Sequence, residues 1–463
     1  MKKQKSMKFL LRLTFVAAFV NVGFGGIAKT LQPSSSMEQQ QLSAFFKSCI
    51  NGETKWYDAQ KSLKADEVEE YEKMVWNAWK QANASCAEQK LIRLGNLDST
   101  SVGAWNIPEN LEPNAVMPYY YGKKQNGGEK NPLPLFLYTH GSGPKDYEWH
   151  TGLLLAQKFN DAPSAYFIPQ IPNEGKYYRW WQRAKQWAWQ KMLRQALASG
   201  EIDPNRIYVF GISEGGYGSQ RLASFYADYW AGAGPMAGGE PLRNAPVENC
   251  ANIGFSLLTG AVDDGFYRNY FTKATKQAFD SVKAVHPQLF NHRIELIPGK
   301  GHHIDYRPTT PWLSRCTRNP YPKHVYWENF EMDSLYRDGF YNIYVHERSN
   351  HDFSTRTYYE MDIDGNNINL KVSEVGYEIT KTDPNWGIEM AFVRHYKSAR
   401  TGKITLFLND KLVDLGRKVT VYVNGKKRFS GKPRLNLRNM VNSCAAFYDP
   451  CRIFPAAIDI EIK

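Results

Sequence analysis

Apolar and polar residues alternate in three different ways along this chain, and the first pattern is helical. Between about residues 37 and 85, apolar side chains recur at the three- and four-residue spacing of an amphipathic helix. The two apolar stripes are Leu42, Phe45 and Phe46, followed by Tyr71, Met74, Val75 and Ala78. We therefore expect residues 29–90 to form a small helical segment packed on the main domain.

In the middle of the chain, from residue 91 to residue 322, short apolar runs alternate with longer helical stretches. This pattern is typical of a mostly parallel sheet with crossover helices on its faces, so it predicts an α/β domain. The runs that we assign to strands are 135–138, 165–168, 207–210, 254–258 and 294–297.

The last third of the chain changes to two-residue alternation with many aromatic residues and tight turns. Residues 419–423 alternate and are followed by Asn424-Gly425, which is a strong signal for a β-hairpin. Residues 404–408 and 458–462 alternate in the same way. Residues 323–463 are therefore predicted to form an all-β sandwich.

The N-terminus has the features of a secretory signal, which we place at residues 1–28. Five basic residues precede an apolar run at 13–24, and small residues follow the run. The run is shorter than the roughly 20 apolar residues that a membrane span needs. We expect cleavage, an exported protein that is periplasmic or secreted, and no integral membrane segment after signal removal.

Composition narrows the choice of partners. The formal net charge is +12, but five of the positive charges lie in the predicted signal. The remaining basic residues are scattered and form no stripe of the kind that lines a nucleic-acid groove, so we expect no nucleic-acid partner. The oligomeric state is left open by the sequence.

Six cysteines in an exported chain suggest disulfides. The simplest pairing joins sequence neighbours. None of the cysteines has a metal-binding spacing such as C-x-x-C, so we expect neither a metal nor a cofactor. The expected pairs are Cys49–Cys86, Cys250–Cys316 and Cys444–Cys451. Residues 362–366 resemble the start of a calcium loop, but the glycine is misplaced and the twelfth-position glutamate is missing, so we interpret them as a hairpin turn.

The candidate chemistry begins with Ser213. The predicted strand 207–210 leads directly into G-I-S-E-G-G at 211–216, and a helical stretch follows. Strand, G-x-S-x-G and helix are the context of a nucleophile elbow, in which a tight turn exposes the serine hydroxyl above the sheet.

An acid and a base follow in the order that this chemistry requires. The predicted strand 254–258 ends close to Asp263 and Asp264, and either carboxylate could orient a histidine. The predicted strand 294–297 is followed by His302 and His303, and either imidazole could take the serine proton.

An anion-stabilising loop is predicted upstream. Strand 135–138 leads into H-G-S-G at 140–143, a loop that can direct a backbone N–H at a developing oxyanion. The N–H of Glu214, the residue after Ser213, would be the second donor.

At these motifs the chain resembles the α/β-hydrolase superfamily over residues 91–322. It looks most like esterase/depolymerase and prolyl-oligopeptidase-type hydrolases, which share the H-G element, the G-x-S-x-G-G elbow and the G-x-x-D and G-x-G-H turns. The resemblance puts the acid on Asp263, the base on His302 and the oxyanion donor on Ser142. The adjacent Asp264 and His303 leave both assignments open by one residue. The resemblance implies cleavage of an ester or amide through an acyl-enzyme.

A dense aromatic cluster follows the predicted strand 165–168. Tyr178, Trp180 and Trp181 are candidates for a substrate-stacking surface, whereas we assign Trp187 to the core of a helix.

Three functional hypotheses follow. The first is an exported esterase acting on small-molecule or polymer-attached esters such as acylated glycans. The second is an oligopeptidase-type serine peptidase, but the roughly 60 residues before the hydrolase region are too few for a propeller. The third is a non-catalytic carbohydrate-binding protein.

Overall fold

The structure, a computed structural model, describes residues 33–125 and 132–463, with side chains from Met37 onward. The predicted signal at residues 1–28 lies outside the described residues. Two helices come first, α1 (Pro33–Ile50) and α2 (Val68–Ser85). Within the described ranges, no helix has the length and apolar character needed to cross a membrane.

A nine-stranded sheet forms the centre of the molecule. Its strands are β1 (Gly95–Asn96), β2 (Val102–Asn106), β3 (Val116–Lys124), β4 (Leu133–Thr139), β5 (Ser164–Pro169), β6 (Ile202–Ile212), β7 (Gly232–Met236), β8 (Gly254–Gly260) and β9 (His292–Ile297). The spatial order is β1-β3-β5-β4-β6-β7-β8-β9, with β2 on β3. The strands from β4 to β9 run parallel, and β3 is antiparallel to β5.

Helices cover both faces of this sheet. They are α3 (Lys145–Lys158), α4 (Arg183–Ser199), α5 (Glu214–Phe225), α6 (Arg268–Val285) and α7 (Thr309–Leu313). Leu135 and Leu137 of β4 pack on the side of α4, α5 and α6, whereas Phe136 and Tyr138 pack on the side of α3 and α7. Successive residues of a strand point to opposite faces, so a sheet covered on both sides has continuous apolar runs. This explains the five predicted strands, and the predicted α/β-hydrolase fold is confirmed.

The C-terminal region contains two further sheets. Its elements are β10 (His324–Asn329), β11 (Gly339–Phe340), β12 (Ile343–Glu347), β13 (Thr355–Asp364), β14 (Asn367–Thr382), β15 (Glu389–Ser398), β16 (Lys403–Leu408), β17 (Val419–Val423), β18 (Lys426–Gly431), α8 (Leu437–Phe447) and β19 (Ala456–Glu461). One sheet has the order β10-β13-β14-β17-β18 with β15 on β14, and the other has the order β11-β12-β16-β19. Trp327 and Phe340 stack between them with ring centroids 5.2 Å apart, as in a sandwich.

Two turns of this region agree with their predictions. Asn424 and Gly425 both have positive φ, at 48° and 76°, which is the backbone of a tight two-residue hairpin. Asp364 and Asn367 are paired across the turn between β13 and β14, so this segment is a hairpin turn as predicted.

The N-terminal segment contacts both the C-terminal helix α8 and helix α4 of the predicted hydrolase region. Leu42 and Val75 pack with Met440 and Val441 of α8 in one apolar cluster. Arg194 of α4 also donates hydrogen bonds to the segment, so it contacts the predicted hydrolase region as well. The domain boundaries that we drew from the sequence stay predictions.

All six cysteines are free thiols in the structure, so the predicted disulfide pairing is wrong for this structure. Cys250 and Cys316 belong to the cores on opposite faces of the central sheet, which no single bridge can join. Cys444 lies in the cluster of α1, α2 and α8, whereas the Cys451 sulfur faces Asn205. Burial raises the pKa of Cys250 to about 12, which keeps that thiol protonated.

Candidate active site

Ser213 occupies the tight turn between β6 and α5. Its backbone has φ of 57° and ψ of −114°, an unusual conformation for a residue with a side chain, and its N–H donates to the Met236 carbonyl at 3.0 Å. A Cβ on Gly215 would lie 1.9 Å from the Thr139 carbonyl oxygen, so this position has room for glycine alone. The second glycine of G-x-S-x-G therefore lets α5 approach β4 closely.

The loops after β8 and β9 pack directly on each other. The Ala261 N–H donates to the Ile297 carbonyl at 2.9 Å, and a Cβ on Gly260 would lie 2.0 Å from the Gly301 carbonyl oxygen. The glycine of the G-x-x-D turn thus allows the close approach that brings Asp263 next to His302.

Ser213, His302 and Asp263 form one hydrogen-bonded array. His302 Nδ1 lies 2.8 Å from Asp263 Oδ2, and His302 Nε2 lies 3.0 Å from Ser213 Oγ. A carboxylate can only accept, so in the neutral imidazole the proton sits on Nδ1 and Nε2 is the acceptor for the serine hydroxyl. Asp263 is buried, whereas His302 and Ser213 are partly exposed to the cleft.

The neighbouring residues of the same type lie outside this array. Asp264 and His303 are exposed, and the His303 ring centroid is 6.0 Å from that of His302. The structure therefore brings Asp263 and His302 to Ser213, and it leaves Asp264 and His303 facing solvent.

Arg268 completes the surroundings of the acid and was missed by the sequence reasoning. Its Nη1 donates to Asp263 Oδ1 at 2.7 Å, so both oxygens of the carboxylate accept a hydrogen bond. Arg268 is the first residue of α6, five positions after Asp263. The sequence shows a basic residue five positions after the acid, but a separation of five residues does not by itself predict that the two side chains are in contact.

The predicted oxyanion donors Ser142 and Glu214 line the same cavity as Ser213. The loop that carries Ser142 is held from behind by buried side chains. Tyr178 Oη lies within hydrogen-bond distance of the carbonyls of Gly141 and Gly143, at 2.6 and 2.9 Å, and Trp180 Nε1 donates to the His140 carbonyl at 2.9 Å.

His140 is buried in this loop as a neutral imidazole. Its Nδ1 lies 2.7 Å from the Gly141 carbonyl, and its Nε2 accepts the Ile171 N–H at 3.1 Å. Burial lowers the pKa of His140 to about 4, so the ring keeps this arrangement at neutral pH.

The aromatic cluster therefore divides into two roles. Trp181 lines the cavity, as expected for a substrate-contacting residue. Tyr178 and Trp180 are buried and contact the loop 140–143, so the prediction that they form a stacking surface is wrong. Their polar atoms are used in hydrogen bonds to backbone carbonyls, and their rings pack in the core.

A cavity of about 570 Å³ opens beside Ser213. Its charged side chains are paired with one another. Arg179 lies 3.4 Å from Glu214, Arg221 donates to Glu240 at 2.7 Å, and Arg243 pairs with Glu389. Within residues 33–125 and 132–463, no cluster of His, Cys, Asp or Glu side chains is arranged to hold a metal ion.

Glu214 is the unusual member of this set. Burial raises the pKa of its carboxyl to about 7, and the nearby Arg179 opposes part of that effect. Among the described residues, its Oε1 and the Tyr217 hydroxyl are both buried without a hydrogen-bond partner. Each of these two atoms is shielded from solvent, so neither presents a free polar group to the cavity.

One wall of the cavity comes from the C-terminal region. Gly387, Ile388 and Glu389, at the turn between β14 and β15, line it together with Ser213. The sequence reasoning assigned these residues to a separate sandwich and missed their place at the cleft.

Comparison with known proteins gives partial matches. No protein-family model matches the chain. By structure, it resembles a thermostable esterase (20% identity, TM-score 0.38, 47% of this chain and 64% of the other). It also resembles a carboxylesterase from Bacillus cereus (17% identity, TM-score 0.34, 44% of this chain and 97% of the other).

Two curated proteins are similar in sequence. Poly(3-hydroxyalkanoate) depolymerase C of Paucimonas lemoignei is 37% identical over 73 residues, which are 16% of this chain and 17% of the relative. The putative esterase NocK of Nocardia uniformis subsp. tsuyamanensis is 26% identical over 153 residues, 29% of this chain and 41% of the relative. The resemblance to esterases and depolymerases predicted from the motifs is confirmed by these relatives, and this chain spans less than half the length of either.

Proposed function

We propose that this protein is a serine hydrolase that cleaves carboxylic esters through an acyl-enzyme on Ser213. The observation that carries the proposal is the continuous hydrogen-bonded array from Ser213 Oγ through His302 to Asp263, at a nucleophile elbow. The names of the two curated relatives, a depolymerase and a putative esterase, favour an ester over an amide.

The proposed reaction uses each group once in each half. His302 Nε2 takes the Ser213 proton while Oγ bonds to the ester carbonyl carbon. The former carbonyl oxygen becomes negative and accepts hydrogen bonds from the backbone N–H groups of Ser142 and Glu214. The C–O bond then breaks, and the proton passes from His302 to the departing alkoxide. In the second half, His302 takes a proton from water while the water oxygen bonds to the acyl carbon. The bond to Ser213 Oγ then breaks, the proton returns to Oγ, and the carboxylic acid product leaves. Asp263 holds the ring and stabilises the imidazolium.

We propose acylated glycans as the substrate class. Arg221 and Arg243 on the wall of the cavity beside Ser213 are each paired with a glutamate, so neither offers a free positive charge to an anionic substrate. The Arg–Glu pairs on the cavity wall carry polar groups that the hydroxyls of a neutral sugar can contact. The basic and apolar residues before residue 29 support export, and sequencing the N-terminus of protein recovered outside the cytoplasm tests it.

Steady-state hydrolysis of 4-nitrophenyl acetate tests the chemistry. Ser213→Ala and His302→Ala should each lower kcat by about 10⁴-fold or more, because nucleophile and base act as a unit. His303→Ala is the matched control and should change kcat by less than about threefold, because its ring does not reach Ser213. Equal losses in both histidine variants would contradict the assigned base.

A paired amide probe separates the esterase from the oligopeptidase alternative. The native protein should cleave 4-nitrophenyl acetate and leave alanine 4-nitroanilide almost untouched. Faster cleavage of the anilide would favour the peptidase. A folded native protein that cleaves neither probe would favour the non-catalytic carbohydrate-binding protein.

A further inference from the structure

The tip of one long hairpin brings the C-terminal sandwich to the cleft. Strand β14 pairs with β13 on one side and with β15 on the other. The pairing with β13 ends at Gly376, and beyond this residue β14 and β15 continue as a two-stranded ribbon. The tip of this ribbon, residues 383–389, contributes to the cavity beside Ser213. A segment more than 150 positions further along the chain than Ser213 thus forms a wall of its cleft.

Specific contacts hold this hairpin tip against the hydrolase region. Asp383 Oδ1 accepts the Tyr267 hydroxyl at 2.6 Å, and its Oδ2 accepts the N–H groups of Asn385 and Trp386 at 3.1 and 2.7 Å. Glu389 forms the ion pair with Arg243. The Asp383 carboxylate therefore both shapes the turn and attaches it to the loop that follows Asp263.

The tip places an exposed aromatic pair at the rim of the cleft. The rings of Phe266 and Trp386 have centroids 4.7 Å apart at an interplanar angle of 59°. Trp386 is 62% exposed and Phe266 is 46% exposed, and Phe266 also lines the cavity. Large aromatic side chains at this exposure are surface features that a ligand can cover.

The backbone supports the same arrangement. Phe266 and Tyr267 are consecutive residues in the left-handed region, with φ of 51° and 62°. Such conformations cost free energy in residues with bulky side chains and persist where the surrounding contacts require them. Here they direct Phe266 to the cleft and Tyr267 to Asp383.

We propose that Phe266 and Trp386 form a subsite that packs against a sugar ring of the substrate, away from the ester bond held at Ser213. This inference rests on the proposed function. The occupant is assigned as a neutral sugar because the subsite is continuous with the cavity whose charges are internally paired. The C–H faces of a sugar ring pack on an aromatic face, while its hydroxyls reach the polar wall.

The test compares two esters of different size. Kinetics are measured for native protein, Trp386→Ala and Trp386→Phe, with 4-nitrophenyl acetate as the small ester and acetylated xylo-oligosaccharides as the sugar ester. The matched control is Tyr396→Ala, which removes another exposed aromatic ring, one that lies on β15 away from the tip.

Trp386→Ala should lower kcat/KM for the oligosaccharide roughly tenfold, mainly through KM, and should leave 4-nitrophenyl acetate unchanged. Trp386→Phe keeps an aromatic ring and should restore most of the loss, and Tyr396→Ala should match the native protein. The inference is overturned if Trp386→Ala retains native oligosaccharide kinetics, or if native protein cleaves the small ester and no acetylated oligosaccharide. Failure of the proposed function differs from both, because neither ester would then be cleaved in a Ser213-dependent way.

Discussion

Glu214 combines a proposed catalytic backbone group with a buried side chain. Its N–H is the proposed second oxyanion donor, while its side chain is buried against Arg179 with one oxygen unpartnered. Burial raises the pKa of the carboxyl to about 7, so it changes its charge in the range where most enzymes work. The motif G-x-S-x-G leaves the identity of this residue free, so the sequence could predict the N–H but not the titration.

Glu214→Gln should change the pH dependence of stability. The unfolded carboxyl ionises near its ordinary pKa of 4.5 and the folded one near 7. Between these values the folded state binds more protons, so the free energy of unfolding of the native protein falls as pH rises. Glu214→Gln lacks this pH-dependent fall in the free energy of unfolding, which amounts to at most about 3 kcal/mol.

Thermal unfolding from pH 4.5 to 8 measures this effect. The melting temperature of Glu214→Gln should rise relative to native protein across the interval. Glu70→Gln, at an exposed position on α2, is the control and should give a curve parallel to native. A parallel curve for Glu214→Gln as well would mean that the carboxyl titrates as in the unfolded chain.

At the scale of elements, the sequence was informative where a strand is apolar and where a motif has fixed spacing. Four of the five predicted strands of the central sheet are runs buried on both faces, and the fifth, β9 at the edge of the sheet, is only partly buried. Strand β7 is equally buried, but its sequence Gly-Ala-Gly-Pro-Met lacks branched and aromatic residues, so no pattern marked it. Strands β2 and β3, at the antiparallel edge, also went unpredicted.

Long-range contacts explain the errors in the aromatic cluster. Tyr178 contacts carbonyls more than thirty positions earlier in the chain, and only the folded structure brings them together. The same limit applies to the hairpin tip 383–389, whose local sequence predicts a turn and says nothing about which domain it touches. Cys250 and Cys316 show it too, since they lie in the cores on opposite faces of the sheet.

Tyr178→Phe should impair catalysis through the loop 140–143. The hydroxyl lies within hydrogen-bond distance of the two carbonyls that flank Ser142, so its removal loosens the proposed oxyanion donor while the ring still fills the core. We expect kcat for 4-nitrophenyl acetate to fall roughly tenfold with little change in KM, which is less than the loss of a donor itself.

Tyr177→Phe is the matched control for this variant. Among the described residues, the Tyr177 hydroxyl makes no side-chain hydrogen bond, so its removal should leave kcat at the native value. Native kcat in Tyr178→Phe would mean that the loop holds its shape without the hydroxyl, and a rise in KM alone would assign Tyr178 to substrate binding instead.

At the scale of the whole molecule, buried charges join the hydrolase region to the sandwich. Asp228, after α5, accepts from Arg337 and Arg452, and Asp449 accepts from Arg318 and Arg452. Desolvated charges of this kind are tolerated because every carboxylate is paired with guanidinium groups. The junction fixes the sandwich relative to the sheet, which in turn lets the β14–β15 hairpin reach the cleft.

The proposed site is therefore an assembly of five distant segments. The loop 140–143, the elbow, the acid turn and the histidine loop come from the central sheet, and the hairpin tip comes from the sandwich. Sequence order predicted the first four because each follows a strand of a known fold. The fifth depends on how the two regions pack, which is a property of the folded chain.

Fluorophosphonate labelling of the purified protein, followed by mass mapping of the modified peptide, tests the central claim most directly. The account predicts a single adduct on Ser213, absent from Ser213→Ala, strongly reduced in His302→Ala and unchanged in His303→Ala. A folded native protein that stays unlabelled, or an adduct on a residue other than Ser213, would contradict it.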